Sequence, residues 1–155
     1  MELEKALEIA ERVKEKLKPY CERIEIAGSI RRKKLEVGDI EIVAISNDRF
    51  GLGLIVNRWE KVRGEVSGKY TQRILPEGIK LDLFFATKEN WGLIYAIRSG
   101  NAEFSYKVLA TGWCKKGYKS IKGMLHKGEE PIEVREEIDL FNLIGIDYIK
   151  PEERN

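Results

Sequence analysis

Leu3, Ala6, Leu7, Ala10, Val13 and Leu17 recur at helical spacing among Glu and Lys, which predicts an amphipathic helix from about Glu2 to Lys18, ended by Pro19. Arg23 to Ala27 alternates charged and apolar positions around Ile24 and Ile26, a strand signal broken by Gly28-Ser29. Ile40 to Ile45 predicts a second strand. Its period of two puts Asp39, Glu41 and Val43 on one face and Ile40, Ile42 and Ala44 on the other. Asn47 to Gly53 reads as a loop, Leu54 to Val62 as a short helix with Trp59 packing, and Gly64 to Gly68 has no clear pattern. Tyr70 to Leu75 and Ile79 to Ala86 predict a hairpin around Pro76-Glu77-Gly78.

The pattern then changes. Trp91 to Arg98 and Phe104 to Thr111 read as helices, punctuated by Ser99-Gly100-Asn101 and ended by Gly112. Tyr118 to Ile121, Met124 to His126 and Ile132 to Val134 predict a small sheet. Arg135 to Ile144 closes with a helix that Gly145 terminates. The expected division is a first domain over residues 1–97 and a small α/β appendage over 98–155, giving an α+β chain.

One residue breaks the apolar rhythm: Asp82 stands between Leu81 and Leu83, beside Phe84 and Phe85. A carboxylate in so apolar a strand is costly unless something pairs with it, and the plain structural alternative is a partner such as Lys80 or an arginine. Asp39 and Glu41 supply two carboxylates on one strand face, and Asp82 supplies a third if its strand lies beside theirs. Hard divalent cations take oxygen ligands, and a pair of them can clamp a triphosphate and its acceptor. Gly28 allows close backbone approach, Ser29 offers a hydroxyl and an amide, and Arg32 offers a charge-assisted fork to phosphate. Separately, an acid pair at a strand start is commonly a solvated strand end, Gly-Ser a turn and a basic tetrad a surface. Their joint occurrence points to chemistry.

The chain of 155 residues with 43% hydrophobic content has enough apolar material for a buried core. No apolar run approaches a membrane span and the N-terminus lacks a signal-peptide core, so the expected setting is intracellular (cytoplasmic), with no membrane partner. Cys21 and Cys114 have no metal-ligand spacing and read as free thiols. The formal net charge of +2 is unevenly spread: from Arg98 to Gly128 seven Lys or Arg stand against the single acid Glu103, a stretch suited to a polyanion or to plain solvation. His126 reads as a surface histidine, and Trp59, Trp91 and Trp113 as packing residues rather than base-stacking ones.

Gly28-Ser29-Ile30-Arg31-Arg32 with Gly38-Asp39-Ile40-Glu41, and then Lys80-Leu81-Asp82-Leu83-Phe84-Phe85, resembles the palm of family X DNA polymerases, the DNA polymerase beta group of the nucleotidyltransferase superfamily. The likeness continues through Trp91-Gly92, Ser99-Gly100, Phe104, Leu143-Ile144-Gly145-Ile146 and Tyr148-Ile149. It implies a nucleotidyltransferase palm, a mixed β-sheet with helices packed on it, followed by a thumb-like C-terminal subdomain that binds the nascent base pair. It implies an enzyme, a DNA-directed DNA polymerase serving gap filling or end processing in repair. Two Mg²⁺ ions, with Mn²⁺ as a possible substitute, would be held by Asp39, Glu41 and Asp82, the catalytic acids. Gly28, Ser29, Arg32, Ser99 and Gly100 would bind the nucleoside triphosphate, and Lys80, Arg98, Lys115, Lys116 and Lys119 the DNA, a primer-template or a gapped duplex, with the chain acting as a monomer.

Three departures from the family pattern qualify this. Glu41 stands where the family usually has aspartate, one methylene longer. Ile97-Arg98-Ser99-Gly100-Asn101 replaces Tyr-Phe-Thr-Gly-Ser, removing the aromatic pair that screens the sugar. The lyase domain and helix-hairpin-helix clamps of larger members have no counterpart, so deoxyribose-phosphate lyase activity is not expected and grip on DNA falls to the remaining surface, Lys122 included. Two other functions fit parts of the pattern: a template-independent nucleotidyltransferase acting on RNA, protein or a small molecule, and a catalytically silent nucleic-acid-binding module.

Charged residues make up 35% of the chain, Glu and Lys dominate, and Gln72 is the single glutamine, a composition associated with heat-adapted proteins. It predicts a melting midpoint above the ~45–65 °C usual for mesophile domains. Thermal unfolding followed by circular dichroism checks this, and a midpoint inside that range overturns it.

Overall fold

A computed structural model describes all residues, Met1–Asn155, and divides them into two compact units, Met1–Ala86 and Thr87–Asn155. The boundary at residue 97 expected from sequence falls inside a helix, Trp91–Ser99, that lies wholly in the second unit.

The first unit is a five-stranded mixed sheet in the order β1-β2-β5-β4-β3, with β1 at Cys21–Ile26, β2 at Asp39–Ser46, β3 at Glu60–Gly64, β4 at Tyr70–Ile74 and β5 at Lys80–Phe85. Only the β2–β5 pairing is parallel. Helix α1, Leu3–Leu17, buries Ala6, Ile9, Ala10, Val13 and Leu17 in one core with Ile40 and Ile42 of β2 and Leu81 and Leu83 of β5. Because side chains alternate, this fixes the opposite face of both strands for Asp39, Glu41, Lys80 and Asp82. The short α2, Gly28–Arg31, follows β1.

The segment between β2 and β4 differs from the sequence expectation. Helix α3 spans Arg49–Val56, so it begins inside the expected loop and ends before the expected helix does. Its start is set by Asp48, whose Oδ1 accepts a 2.8 Å hydrogen bond from the Gly51 amide. Gly51 is required by contact rather than by helix preference, since a Cβ there would stand 2.5 Å from Tyr20 Cδ1. Glu60–Gly64 is an edge strand exposed at every residue, which is why its charged sequence hid it. The expected hairpin of β4 and β5 is present, its turn tied by Leu75 N to Ile79 O at 3.0 Å.

In the second unit, α4 (Trp91–Ser99), α5 (Ala102–Phe104) and α6 (Thr111–Lys115) surround a core with a three-stranded sheet, β6 (Lys119–Ile121), β7 (Met124–Lys127) and β8 (Glu130–Ile132), and a closing helix α7 (Glu137–Ile144). Between α5 and α6 the chain stays helical but widens to a π-helix over Ser105–Ala110, so Gly112 does not end a helix as expected but sits within one, against Ile144. The third strand lies two residues before its expected start, and Val134 instead packs in the core. Helix α7 opens on a capping box between Glu136 and Asp139 and stops at Gly145, whose φ of +75° is left-handed. The two free cysteines are half-buried Cys21 and exposed Cys114, and no helix is long and apolar enough to cross a membrane.

A buried ion pair anchors the C-terminal end of this unit. Arg154 is 0% exposed; its Nη1 donates to Glu137 Oε2 at 2.5 Å and its Nε to the Ile149 carbonyl at 2.8 Å. The guanidinium also lies 5.3 Å from the ring centre of Phe141 and 5.2 Å from that of Tyr148. Removing one member of such a pair strands the other charge in the core. Glu137→Ala is therefore expected to destabilise the chain by ~3–5 kcal/mol. Glu137→Leu combined with Arg154→Met is expected to cost much less, and urea unfolding of the three proteins measures the difference.

Candidate active site

The parallel register of β2 and β5 sets Asp39 opposite Lys80 and Glu41 opposite Asp82. Acids some forty residues apart in sequence thus share one sheet face. Asp82 is 6% exposed. Its carboxylate is held from the neighbouring strand: Tyr70 Oη donates to Oδ1 at 2.5 Å and Gln72 Nε2 donates to the same oxygen at 2.7 Å. Gln72 is the register partner of Asp82 across β4 and β5, and Tyr70 is that of Phe84, on which its ring stacks at 4.9 Å. Sequence reasoning passed over both residues. The chain's single glutamine, two positions from a tyrosine in a strand expected to pair with that of Asp82, is the available signal.

Asp39 feels its neighbours differently. Burial is the main reason its carboxyl is pushed above the ordinary aspartate range; the negative charge of Asp82 adds to this and Lys80 opposes it. Lys80 therefore acts on Asp39 from the same sheet face.

Glu41 takes a third position. A Cβ placed on Gly28 would lie 2.0 Å from Glu41 Oε2 and 2.7 Å from its Cδ, so the Glu41 carboxyl lies directly over the Gly28 backbone. Gly28 is needed there twice, for that contact and for its φ of +62°. The Ala27 amide donates to the Glu41 carbonyl at 2.8 Å, locking the turn to β2. Arg32, which ends α2, is half-buried; burial lowers its pKa first, and the Glu41 charge opposes that. Gly28, Ser29, Arg32 and Glu41 thus occupy one corner, with Ser29 half-buried and its carbonyl bonded by the Lys34 amide at 3.0 Å.

The three acids share a face but not a centre. No group of three or more His, Cys, Asp or Glu side chains is arranged to hold a metal ion. The Glu41 carboxyl lies over Gly28, and the expected three-acid set is not assembled in this arrangement of side chains. Asp39 and Asp82 remain a pair whose mutual repulsion a divalent cation would relieve, so these two side chains fit such an ion.

The remaining sequence candidates belong to the second unit. Ser99 is fully buried, which withdraws its hydroxyl from solvent. Gly100 is dictated by packing, since a Cβ there would stand 2.6 Å from Phe104 Cδ1, and Asn101 caps the next helix by accepting from the Phe104 amide at 2.7 Å. Arg98 is exposed at the end of α4. Lys115, Lys116, Lys119 and Lys122 are exposed and make no ion pair with a carboxylate. His126 is half-buried, with Nδ1 3.2 Å from the Met124 carbonyl. Trp91 and Trp113 are buried and Trp59 packs on the first core, consistent with packing roles.

Residues 95–155 match the family model of the DNA polymerase beta thumb. A crystal structure of Leishmania infantum polymerase beta, a ternary P/T complex, is similar over 100% of this chain and 76% of that one, with a TM-score of 0.78 and 17% sequence identity. A search of curated proteins gave no match. The chain has a family X DNA polymerase-like fold of mixed α and β structure.

The raised pKa of Asp39 carries a stability consequence. Between the ordinary aspartate value near ~4 and the raised one, the folded chain binds more protons than the unfolded chain, so this group's effect on stability worsens as pH rises through that window. Above the window ionised Asp39 is a constant liability. Asp39→Asn is expected to raise the melting midpoint at pH 7 by about 1–3 °C, for a screened effect of ~0.5–1 kcal/mol. The gap should close as pH falls below the ordinary aspartate range, and paired thermal melts across pH measure both.

Proposed function

We propose, from a family X DNA polymerase-like fold, that this chain is a nucleotidyltransferase that adds nucleotides to a DNA 3′-hydroxyl, filling gaps or processing ends in repair. The observation that carries this reading is the parallel β2–β5 register, which brings Asp82 to the face of Asp39 beside a glycine turn bearing Ser29 and Arg32. The solved relative, named as a ternary P/T complex, supports DNA as the partner.

Phosphoryl transfer asks little covalent chemistry of a protein and much positioning. Gly28 would let phosphate approach the backbone at the start of α2 once the Glu41 carboxyl, which lies over it, moves aside. Ser29 offers a hydroxyl, and Arg32 a guanidinium that stays charged and can fork onto phosphate oxygens. Asp39 and Asp82 would hold Mg²⁺, or Mn²⁺ in its place, with Glu41 completing the set when its carboxyl leaves the Gly28 corner. When bound, the ion supplies charge neutralisation at the triphosphate and at the attacking oxygen. Asp82, held from β4, would be the acid nearest the acceptor hydroxyl. The unpaired lysines Lys115, Lys116, Lys119 and Lys122 would contact the DNA backbone, an attraction that salt weakens.

Extension of a primed or gapped duplex is expected with Mg²⁺ and nucleoside triphosphates, and Asp82→Ala is expected to lower it by at least ~10³-fold while the fold survives. Gel-resolved primer extension, with circular dichroism of the variant, measures this. Robust extension by Asp82→Ala overturns the assignment, and extension unaffected by omitting the template strand shifts it to a template-independent transferase. Deoxyribo- and ribonucleotides run in parallel read the effect of Ile97-Arg98 on sugar choice.

A further inference from the structure

We propose that Tyr70 and Gln72 are positioning residues that present a single oxygen of Asp82 to a divalent cation. The inference rests on the reading of Asp82 as a cation-holding acid. Both donors reach Oδ1, at 2.5 Å and 2.7 Å, and Oδ2 carries no hydrogen bond. The carboxylate is therefore fixed in rotation about its own bond, with one oxygen spent on the protein and one left for a ligand.

The donors are neutral, and that is what makes them useful. An arginine or lysine in their place would form an ion pair and compete with a cation for the charge of Asp82. An amide and a phenol orient the carboxylate and leave its charge available. The charged groups that face this cluster are Asp39, which acts on Tyr70 and on which Asp82 acts, Glu41, the register partner of Asp82, Lys80 on the same strand face, and Arg63, which acts on Tyr70 from the next strand. None of these donates to Asp82.

The arrangement is also built, and at a cost. Tyr70 is held by its stack on Phe84 at 4.9 Å and 25°, so its hydroxyl is aimed by packing. Gln72 is 7% exposed and its Oε1 has no hydrogen-bond partner. A methionine of similar shape would fill that space without burying an unpartnered carbonyl. What glutamine provides in exchange is the bond to Asp82.

The test uses the full chain with Mn²⁺ as probe, its free concentration followed by electron paramagnetic resonance in the absence of nucleotide. Tyr70→Phe, which keeps the ring on Phe84, and Gln72→Met are each expected to weaken Mn²⁺ binding by about 10- to 100-fold, the range for partners that orient a metal ligand. Their melting midpoints should stay within a few degrees of the parent. Nucleotidyl transfer by both variants should recover toward the parent rate as Mn²⁺ is raised, placing the defect in the metal requirement rather than in kcat. Wild-type affinity in both variants overturns the proposal, as does a parent chain that takes up no Mn²⁺. Loss of Mn²⁺ binding in the variants, with a parent that binds the ion yet transfers no nucleotide, upholds the positioning role and overturns the polymerase reading instead.

Discussion

The parallel pairing of β2 with β5 is the constraint on which the first unit's chemistry depends. A parallel neighbour cannot be reached by a tight turn, so the chain travels through α3, β3 and β4 before β5 enters beside β2. That excursion delivers β4 to the far side of β5, with Gln72 across from Asp82 and Tyr70 across from Phe84. The same register that brings Asp82 to Glu41 therefore also supplies Asp82 with its two donors. A slip of one residue that turned β5 over would put Asp82 into the helix-packed core against Ile40 and Ile42 and turn Leu81 and Leu83 out of it.

The site is electrostatically unfavourable as a folded structure by itself. Burial and the negative charge of Asp82 raise the cost of ionising Asp39, and the one cation acting on Asp39 is Lys80. The apolar face of the same strands, where Ile40, Ile42, Leu81 and Leu83 are all fully buried, offsets that cost. Stability is supplied on one side of two strands and chemistry on the other, which is possible only because strand side chains alternate.

Much of this was legible in the chain. Leu3 to Leu17 has a period that only a helix satisfies, and Ile40 to Ile45 announced both its strand and the face on which its acids lie. Asp82 was conspicuous because carboxylates are rare among Leu and Phe. Helix α3 was misread because Gly51 and Gly53 argue against helix locally, while the Asp48 cap and the contact of Gly51 with Tyr20 decide otherwise. Strand β3 was missed because an edge strand with both faces wet needs no apolar alternation. The clamp on Asp82 was out of reach for another reason: only the β4–β5 register, a tertiary fact, makes Tyr70 and Gln72 its neighbours.

Glu41 shows where a resemblance in sequence and a geometry part company. Its motif position is that of a metal ligand, yet its carboxyl lies over Gly28 and acts on Arg32. An aspartate at the same backbone position would be one methylene shorter and could not extend as far over the Gly28 Cα. The glycine and the glutamate are therefore coupled: the Cβ absent from Gly28 is the space that Glu41 fills. In the reading of this corner as a phosphate cradle, the internal carboxylate and an incoming triphosphate seek the same guanidinium.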